Sequence, residues 1–274
     1  MRNLIHIIVP ALLVALASPA DAQRTDFIPE ALQGVDVDER LGGMVDLDLT
    51  FVNAEGESVR LRDFVRDGRP ILLTLNYYDC PMLCDLQLNA VVDTLSQLRE
   101  NWVPGNQFEL VTISFDPEEG PELAAGKQRA YRASLGRGSD AGWHFLVGDR
   151  ENIDALTEQL GYMYQFIEEA GEFSHPSVLM FLSPEGRITR YLYGLMYDPQ
   201  DVRLALLEAS EGRVGSPMER IILSCFIYDP DRGAYIPYAF GIMRIAGAVT
   251  VFLILVMLLV LWRREQHEPV PTAA

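Results

Sequence analysis

Cysteine, histidine and basic side chains are all scarce in this chain. Three cysteines among 274 residues are too few for a disulfide-stapled scaffold. The fold must rest on an apolar core, and a composition that is 49% hydrophobic is enough for one. Lysine and arginine number 22 against 39 aspartates and glutamates, a formal net charge of −17. A surface of that sign repels nucleic acid and anionic lipid headgroups, which excludes nucleic acid as a partner. No internal repeat or low-complexity tract is present. Nor does an Arg-rich, acid-poor leader open the chain, which argues against an organellar transit peptide.

Long uncharged apolar runs occur only at the two ends. Residues 1–22 combine Arg2, an apolar stretch from Leu4 to Ala17 and the small-residue site Ala20-Asp21-Ala22. This predicts a secretory signal peptide cleaved before Gln23, because the stretch is short for a membrane span. Ile245 to Trp262 is long enough to cross a bilayer and has no polar face, and Arg263 and Arg264 follow it. These features predict a transmembrane helix over 241–262, with Tyr238 and Arg244 at its outer interface. The positive-inside rule leaves 263–274 as a cytoplasmic tail. The charges of the two ends cancel, so the net charge belongs to the exported part. The expected layout is an arm (23–41), a folded domain (42–212) and a membrane-proximal linker (213–240). The protein is then single-pass in a bacterial inner membrane, with its domain facing the periplasm or exterior.

Within the domain, two cysteines stand close together in Cys80-Pro81-Met82-Leu83-Cys84. The run before them, Ile71 to Tyr78, reads as a buried strand behind the turn Asp67-Gly68-Arg69-Pro70. The stretch after them, Asp85 to Glu100, spaces Leu86, Leu88, Val91, Val92, Leu95 and Leu98 near helical periodicity. Pro81 suits the first turn of that helix. Both thiols therefore lie near a helix N-terminus, where the macrodipole favours thiolate. Positions four apart on a helix hold their Cβ atoms roughly 5–6 Å apart, wider than the roughly 3.5–4.5 Å of a relaxed disulfide. A metal between the sulfurs tolerates that gap, and a disulfide formed there would be reducible. A structural disulfide or two ordinary buried thiols is the plainer alternative.

The remaining pattern alternates strands with helices. Asp46–Val52 and Glu57–Leu61 read as an N-terminal β-hairpin, Phe108–Phe115 and His144–Val147 as strands, and Val178–Leu182 with Ile188–Tyr193 as a closing hairpin. Helices are expected at 121–135, at 150–160 with Asp149 as cap, and at 199–209. The predicted class is an α/β, thioredoxin-like domain with one C-terminal transmembrane helix.

Histidine offers few candidates for a third ligand. His6 and His267 lie in the end segments, and His144 at a strand start reads as a packed, hydrogen-bonded residue. His175 follows the turn-rich Gly171-Glu172-Phe173-Ser174, a loop where a mobile ligand would sit. In a thioredoxin-like fold that loop lies at the cysteine end of the sheet. Two thiolates and an imidazole form a soft, low-coordination site suited to copper, whereas zinc prefers a fourth ligand. Met82 reads as packing with a thioether in reserve, and Met163, Met180 and Met196 as core. Asp79 and Asp116 read as outer-sphere acceptors or as turn formers. Cys225 reads as a buried thiol near the membrane or as an intermolecular disulfide joining a homodimer.

From about Gly42 to Ala209 these residues resemble the Sco/SenC family of copper-binding thioredoxin-like proteins. The resemblance is carried by Asp48-Leu49-Thr50-Phe51, Leu61-Arg62-Asp63-Phe64, Cys80-Pro81-Met82-Leu83-Cys84, Ile113-Ser114-Phe115-Asp116-Pro117, and His175 before Ser177 to Leu182. It implies that Cys80, Cys84 and His175 bind copper as Cu(I) or Cu(II). It also implies a role in assembling the CuA centre of cytochrome c oxidase subunit II, by delivering copper, by reducing the target cysteines, or both. In the second case Cys80 and Cys84 act as a redox pair. Asp85 stands where the family often has proline, and the usual family anchor is N-terminal.

Overall fold

The computed structural model describes residues 34–80, 83–137, 142–168, 170–211, 226–229, 234–237 and 239–265. The expectations for the signal peptide, Met82, Cys225 and the tail beyond Glu265 lie outside the described residues, as does the side chain of Cys84.

Along the chain run β1 (Asp36–Val37), β2 (Thr50–Asn53), β3 (Ser58–Arg60), β4 (Ile71–Asn76), α1 (Leu83–Gln97), β5 (Glu109–Ser114), α2 (Pro121–Leu135), β6 (Trp143–Val147) and α3 (Arg150–Leu160). There follow β7 (Tyr162–Met163), β8 (Gln165–Ile167), β9 (Glu172–Ser174), β10 (Val178–Leu182), β11 (Ile188–Tyr193), α4 (Pro199–Ala209), β12 (Phe226–Asp229), β13 (Ala234–Pro237) and α5 (Ala239–Glu265). Seven strands form one sheet in the order β11-β10-β4-β5-β6-β2-β3. The central three, β4, β5 and β6, are parallel, and the flanking pairs are antiparallel.

Every residue of β4 and β5 is buried, as a parallel centre covered on both faces requires. Successive side chains go to opposite faces. Leu72 and Leu110 join Leu88, Val91, Tyr131, Trp143 and Leu206 beneath α1, α2 and α4. Ile71, Leu73, Leu75, Val111 and Ile113 join Ile153, Leu156 and Leu160 beneath α3. The helices start where local chemistry directs. Pro121 occupies the first turn of α2, and the Asp149 carboxylate accepts the Asn152 N–H at 2.9 Å, which satisfies one of the orphan donors of α3.

The expected strand at Asp46–Val52 begins only at Thr50. Val45, Leu47 and Phe51 are buried as the alternation implies. The Asp46 carboxylate, however, takes the Asp48 N–H at 2.9 Å, a local turn that competes with strand pairing. The arm is not wholly irregular either: Asp36 and Val37 pair with Met163 and Tyr162. At the joint, Gly161 has φ +64 and a Cβ there would lie 1.9 Å from the Asp38 carbonyl oxygen, so only glycine admits the arm. The expected linker holds a hairpin, β12 with β13. It docks on the domain through the Tyr228 hydroxyl on the Tyr191 carbonyl at 3.1 Å and the Arg190 guanidinium 4.2 Å over the Tyr228 ring. Met180 is core, but Met163 and Met196 are exposed; one lies on a two-residue edge strand and the other in the turn after β11.

The C-terminal apolar run is helical, as α5. Among the described residues no helix is long and apolar enough to cross a membrane. The spanning helix expected over 241–262 is therefore not met among them.

Candidate metal centre

The carboxyl ends of β4 and β5 are where open α/β sheets place their ligand sites, and here β4 runs into the cysteine turn. Tyr77 and Tyr78 leave the strand on opposite faces. The Tyr78 hydroxyl reaches the Thr112 and Leu146 carbonyls at 2.9 and 2.8 Å, while the Tyr77 ring faces Phe115, Phe173 and His175. Cys80 follows, buried at 6% exposure. Cys84 lies in the first turn of α1.

His175 arrives from the other side. Strand β10 runs antiparallel to β4 with Leu179 opposite Thr74. Continuing that register sets His175 opposite Tyr78, close to Cys80. The two side chains meet: the Cys80 sulfur is within hydrogen-bonding reach of the imidazole. His175 stands in the connection between β9 and β10, a loop position as its turn-rich surroundings imply, but it is not open to solvent. It is 5% exposed and follows β9, which pairs with β8. Its ring packs on Phe115 at 5.2 Å and Tyr77 at 5.9 Å between centroids.

The state of the imidazole follows from its contacts. Nδ1 lies 3.1 Å from the Tyr162 hydroxyl and 3.2 Å from the Pro176 carbonyl. A carbonyl only accepts, so Nδ1 carries the proton and Nε2 keeps its lone pair for a metal. Burial lowers the His175 pKa below its usual value, against the opposing pull of the Pro176 carbonyl and of Cys80. The neutral ring, which is the ligating form, is favoured.

Residues with no local sequence signal hold this arrangement. Glu119, half-buried at the end of the β5–α2 connection, accepts the Tyr78 N–H at 2.8 Å, the Asp79 N–H at 2.7 Å and the Ser114 hydroxyl at 2.5 Å. Burial raises its carboxyl pKa despite these donors. Asp85 accepts from Lys127 Nζ at 2.6 Å and from the Tyr131 hydroxyl at 2.8 Å, joining α1 to α2. Beneath the site, Asn76 Nδ2 donates to Gln87 Oε1 at 2.9 Å and Gln87 Nε2 donates to the Val178 carbonyl at 3.0 Å. Both side chains are fully buried, and they link β4, α1 and β10. Single acidic or amide residues in a sequence do not announce such partners.

Of the other candidates, Asp116 is a turn former, its carboxylate accepting the Glu118 N–H at 3.0 Å. Asp79 is exposed and contributes its backbone N–H. His144 is packed as expected, 3.1 Å from Glu109 and against Phe64. Among the described residues no group of three ligand-type side chains stands together; Cys80 and His175 stand together as a pair, and the second thiol, that of Cys84, lies outside the described residues.

The family model described as SCO1/SenC matches residues 38–208. A protein of Aquifex aeolicus VF5, described as a candidate electron transfer protein, is 28% identical over 62% of this chain and 94% of its own, with a TM-score of 0.55. A SCO1/SenC family lipoprotein from Bacillus anthracis str. Ames is 16% identical over 64% and 99%, with a TM-score of 0.51. Copper-bound ScoI of Arabidopsis thaliana is 19% identical over 62% and 98%, with a TM-score of 0.48. No curated protein matches the chain.

Proposed function

Because the chain belongs to the SCO1/SenC family, we propose that it is a membrane-tethered copper metallochaperone. Its cargo is bound by Cys80, Cys84 and His175, and its target is the CuA centre of cytochrome c oxidase subunit II. The observation that carries this reading is the contact between the buried Cys80 and the buried His175 at the carboxyl end of β4, with Cys84 in the first turn of the helix that follows. Two thiolates and one imidazole form a soft site of low coordination number. Incoming thiolates of an acceptor can replace these ligands one at a time, so copper passes without being released as a free ion.

The test is to load the reduced full chain with Cu(I), mix it with an apo CuA domain and follow the metal. Transfer to the acceptor is expected, together with copper binding that weakens in His175→Ala. Equal affinity in wild type and His175→Ala would rule out the three-ligand site.

The position of Cys84 in the first turn of α1, with Cys80 four residues before it, favours a second reading, because a helix N-terminus lowers thiol pKa. Here the Cys80 thiolate attacks a target disulfide and Cys84 resolves the mixed disulfide. Two target thiols are released and a Cys80–Cys84 disulfide remains. Reduction of an oxidised CuA domain by the metal-free protein, retained in His175→Ala, supports this reading over delivery.

The tether is read from the uncharged run Ile245–Trp262 with Arg263 and Arg264 behind it. The apolar side chains of α5 are exposed in the isolated chain, a surface that hydrocarbon would cover. With the leader at 1–22, the copper domain then faces the periplasm. Release of the protein from membranes by alkaline carbonate would refute the tether.

A further inference from the structure

Glu119 stands apart from the other acidic residues because its partners are the backbone groups that lead into Cys80. After Asn76 the chain leaves β4, and the N–H groups of Tyr78 and Asp79 fall between the end of the strand ladder and the start of α1. Backbone donors at such a break must find acceptors. The Glu119 carboxylate supplies both, one oxygen at 2.7 Å from Asp79 N and the other at 2.8 Å from Tyr78 N. The Ser114 hydroxyl donates to the second oxygen at 2.5 Å and itself accepts the Asp116 N–H at 3.1 Å. The end of β5, the loop after it and the approach to Cys80 thus meet on one carboxylate. Hydrogen bonds to an ionised acceptor are stronger than neutral ones. On the far side of the turn, α2 grips again through Lys127 and Tyr131 on Asp85.

We propose that Glu119 is a positioning residue for Cys80: it holds the turn at Tyr78 and Asp79 so that the Cys80 sulfur stays buried against His175 instead of swinging to solvent. The inference deepens the copper reading by assigning the residue that presets one of its ligands. It also stands apart from that reading, since the position of a thiol can be read without metal.

Glu119→Gln is the discriminating substitution. The amide keeps one acceptor oxygen but turns an NH2 toward a backbone N–H, so at least one of the two bonds is lost. Two measurements on the reduced full chain in detergent test the proposal. The first is the iodoacetamide alkylation rate of Cys80 with Cys84 and Cys225 replaced by serine. The second is the affinity for Cu(I) in competition with a chromophoric chelator, with all cysteines present. Loss of one charge-assisted bond corresponds to about tenfold or more in an equilibrium. Glu119→Gln should therefore be alkylated about tenfold faster and bind Cu(I) about tenfold more weakly.

Leu182→Ala, fully buried at the opposite end of β10, is the control for general destabilisation and should change neither value. Ser114→Ala removes one donor from the carboxylate and should move both in the same direction by less; it decides the matter if the glutamine variant does not fold. Equal alkylation rates in wild type and Glu119→Gln overturn the proposal, as does a rate raised equally by Leu182→Ala. If wild type takes up no Cu(I), the copper reading fails and the alkylation rates alone judge Glu119.

Discussion

The two sides of the site are held in different ways. On the Cys80 side a carboxylate bonds the backbone of Tyr78 and Asp79, and the thiol follows wherever that backbone goes. On the His175 side the ring is held by its neighbours: Phe115, Tyr77 and the Tyr162 hydroxyl touch the imidazole. The first kind of hold is electrostatic and acts through a few short bonds. The second is distributed over many weak contacts, each small and together large. A side chain held by backbone bonds should respond to loss of a single acceptor, and a side chain held by packing to loss of volume.

The strongest test of that contrast is Phe115→Ala. Phe115 is fully buried and touches Tyr77, Tyr162, Tyr164, Phe173 and His175. Truncating it should cost about 3–5 kcal/mol, measured by urea unfolding of the metal-free protein. A loss below about 1 kcal/mol would mean that the rings are not what secures His175.

Tyr162→Phe keeps the packing and removes only the hydroxyl, so the expected loss is about 1 kcal/mol. The imidazole should stay protonated on Nδ1, because the Pro176 carbonyl still accepts there. Nitrogen-15 chemical shifts of His175 report the tautomer, and a switch to the Nε2–H form would show that Tyr162, not Pro176, sets it.

The smallest effect is in the pH dependence, where the two sides carry opposite signs. Burial raises the Glu119 pKa above its ordinary value of 4.5. The folded state therefore holds the proton longer than the unfolded chain, and this group makes stability fall as pH rises from 4.5 through the raised value. Burial lowers the His175 pKa below 6.5. There the unfolded chain binds the proton first, and stability rises with pH up to 6.5. Urea midpoints across pH should lose the falling limb in Glu119→Gln and the rising limb in His175→Gln. Unchanged profiles would remove the electrostatic part of the comparison.

The contrast also marks what was legible in the chain. The β4 run, the periodicity of α1, the cap at Asp149 and the proline opening α2 are local patterns, and each element formed where its pattern stands. The Cys80 side could be read because strand, turn and helix are contiguous. Three features could not be read. Strands β8 and β9 are three residues each, too short to show alternation, so nothing showed that the loop position of His175 is a buried one. Glu119 lies in an acidic turn whose sequence says nothing of the amides it meets. The hairpin β12–β13 is held by Arg190 and Tyr191 of a strand far from it in sequence, and read as a linker.

The chain by itself determined that two thiols stand four residues apart where an apolar strand gives way to a helix, in a strongly acidic protein with apolar ends. Those properties depend on composition and on spacings of a few residues, which backbone geometry converts directly into shape. Tertiary structure decided that His175 is buried beside Cys80 and how each of these side chains is restrained. The antiparallel register of β10 on β4 brings His175 beside Cys80, and the return of the chain after β5 brings Glu119 beneath the turn. Such meetings depend on the pairing of strands remote in sequence, and no local pattern encodes that pairing.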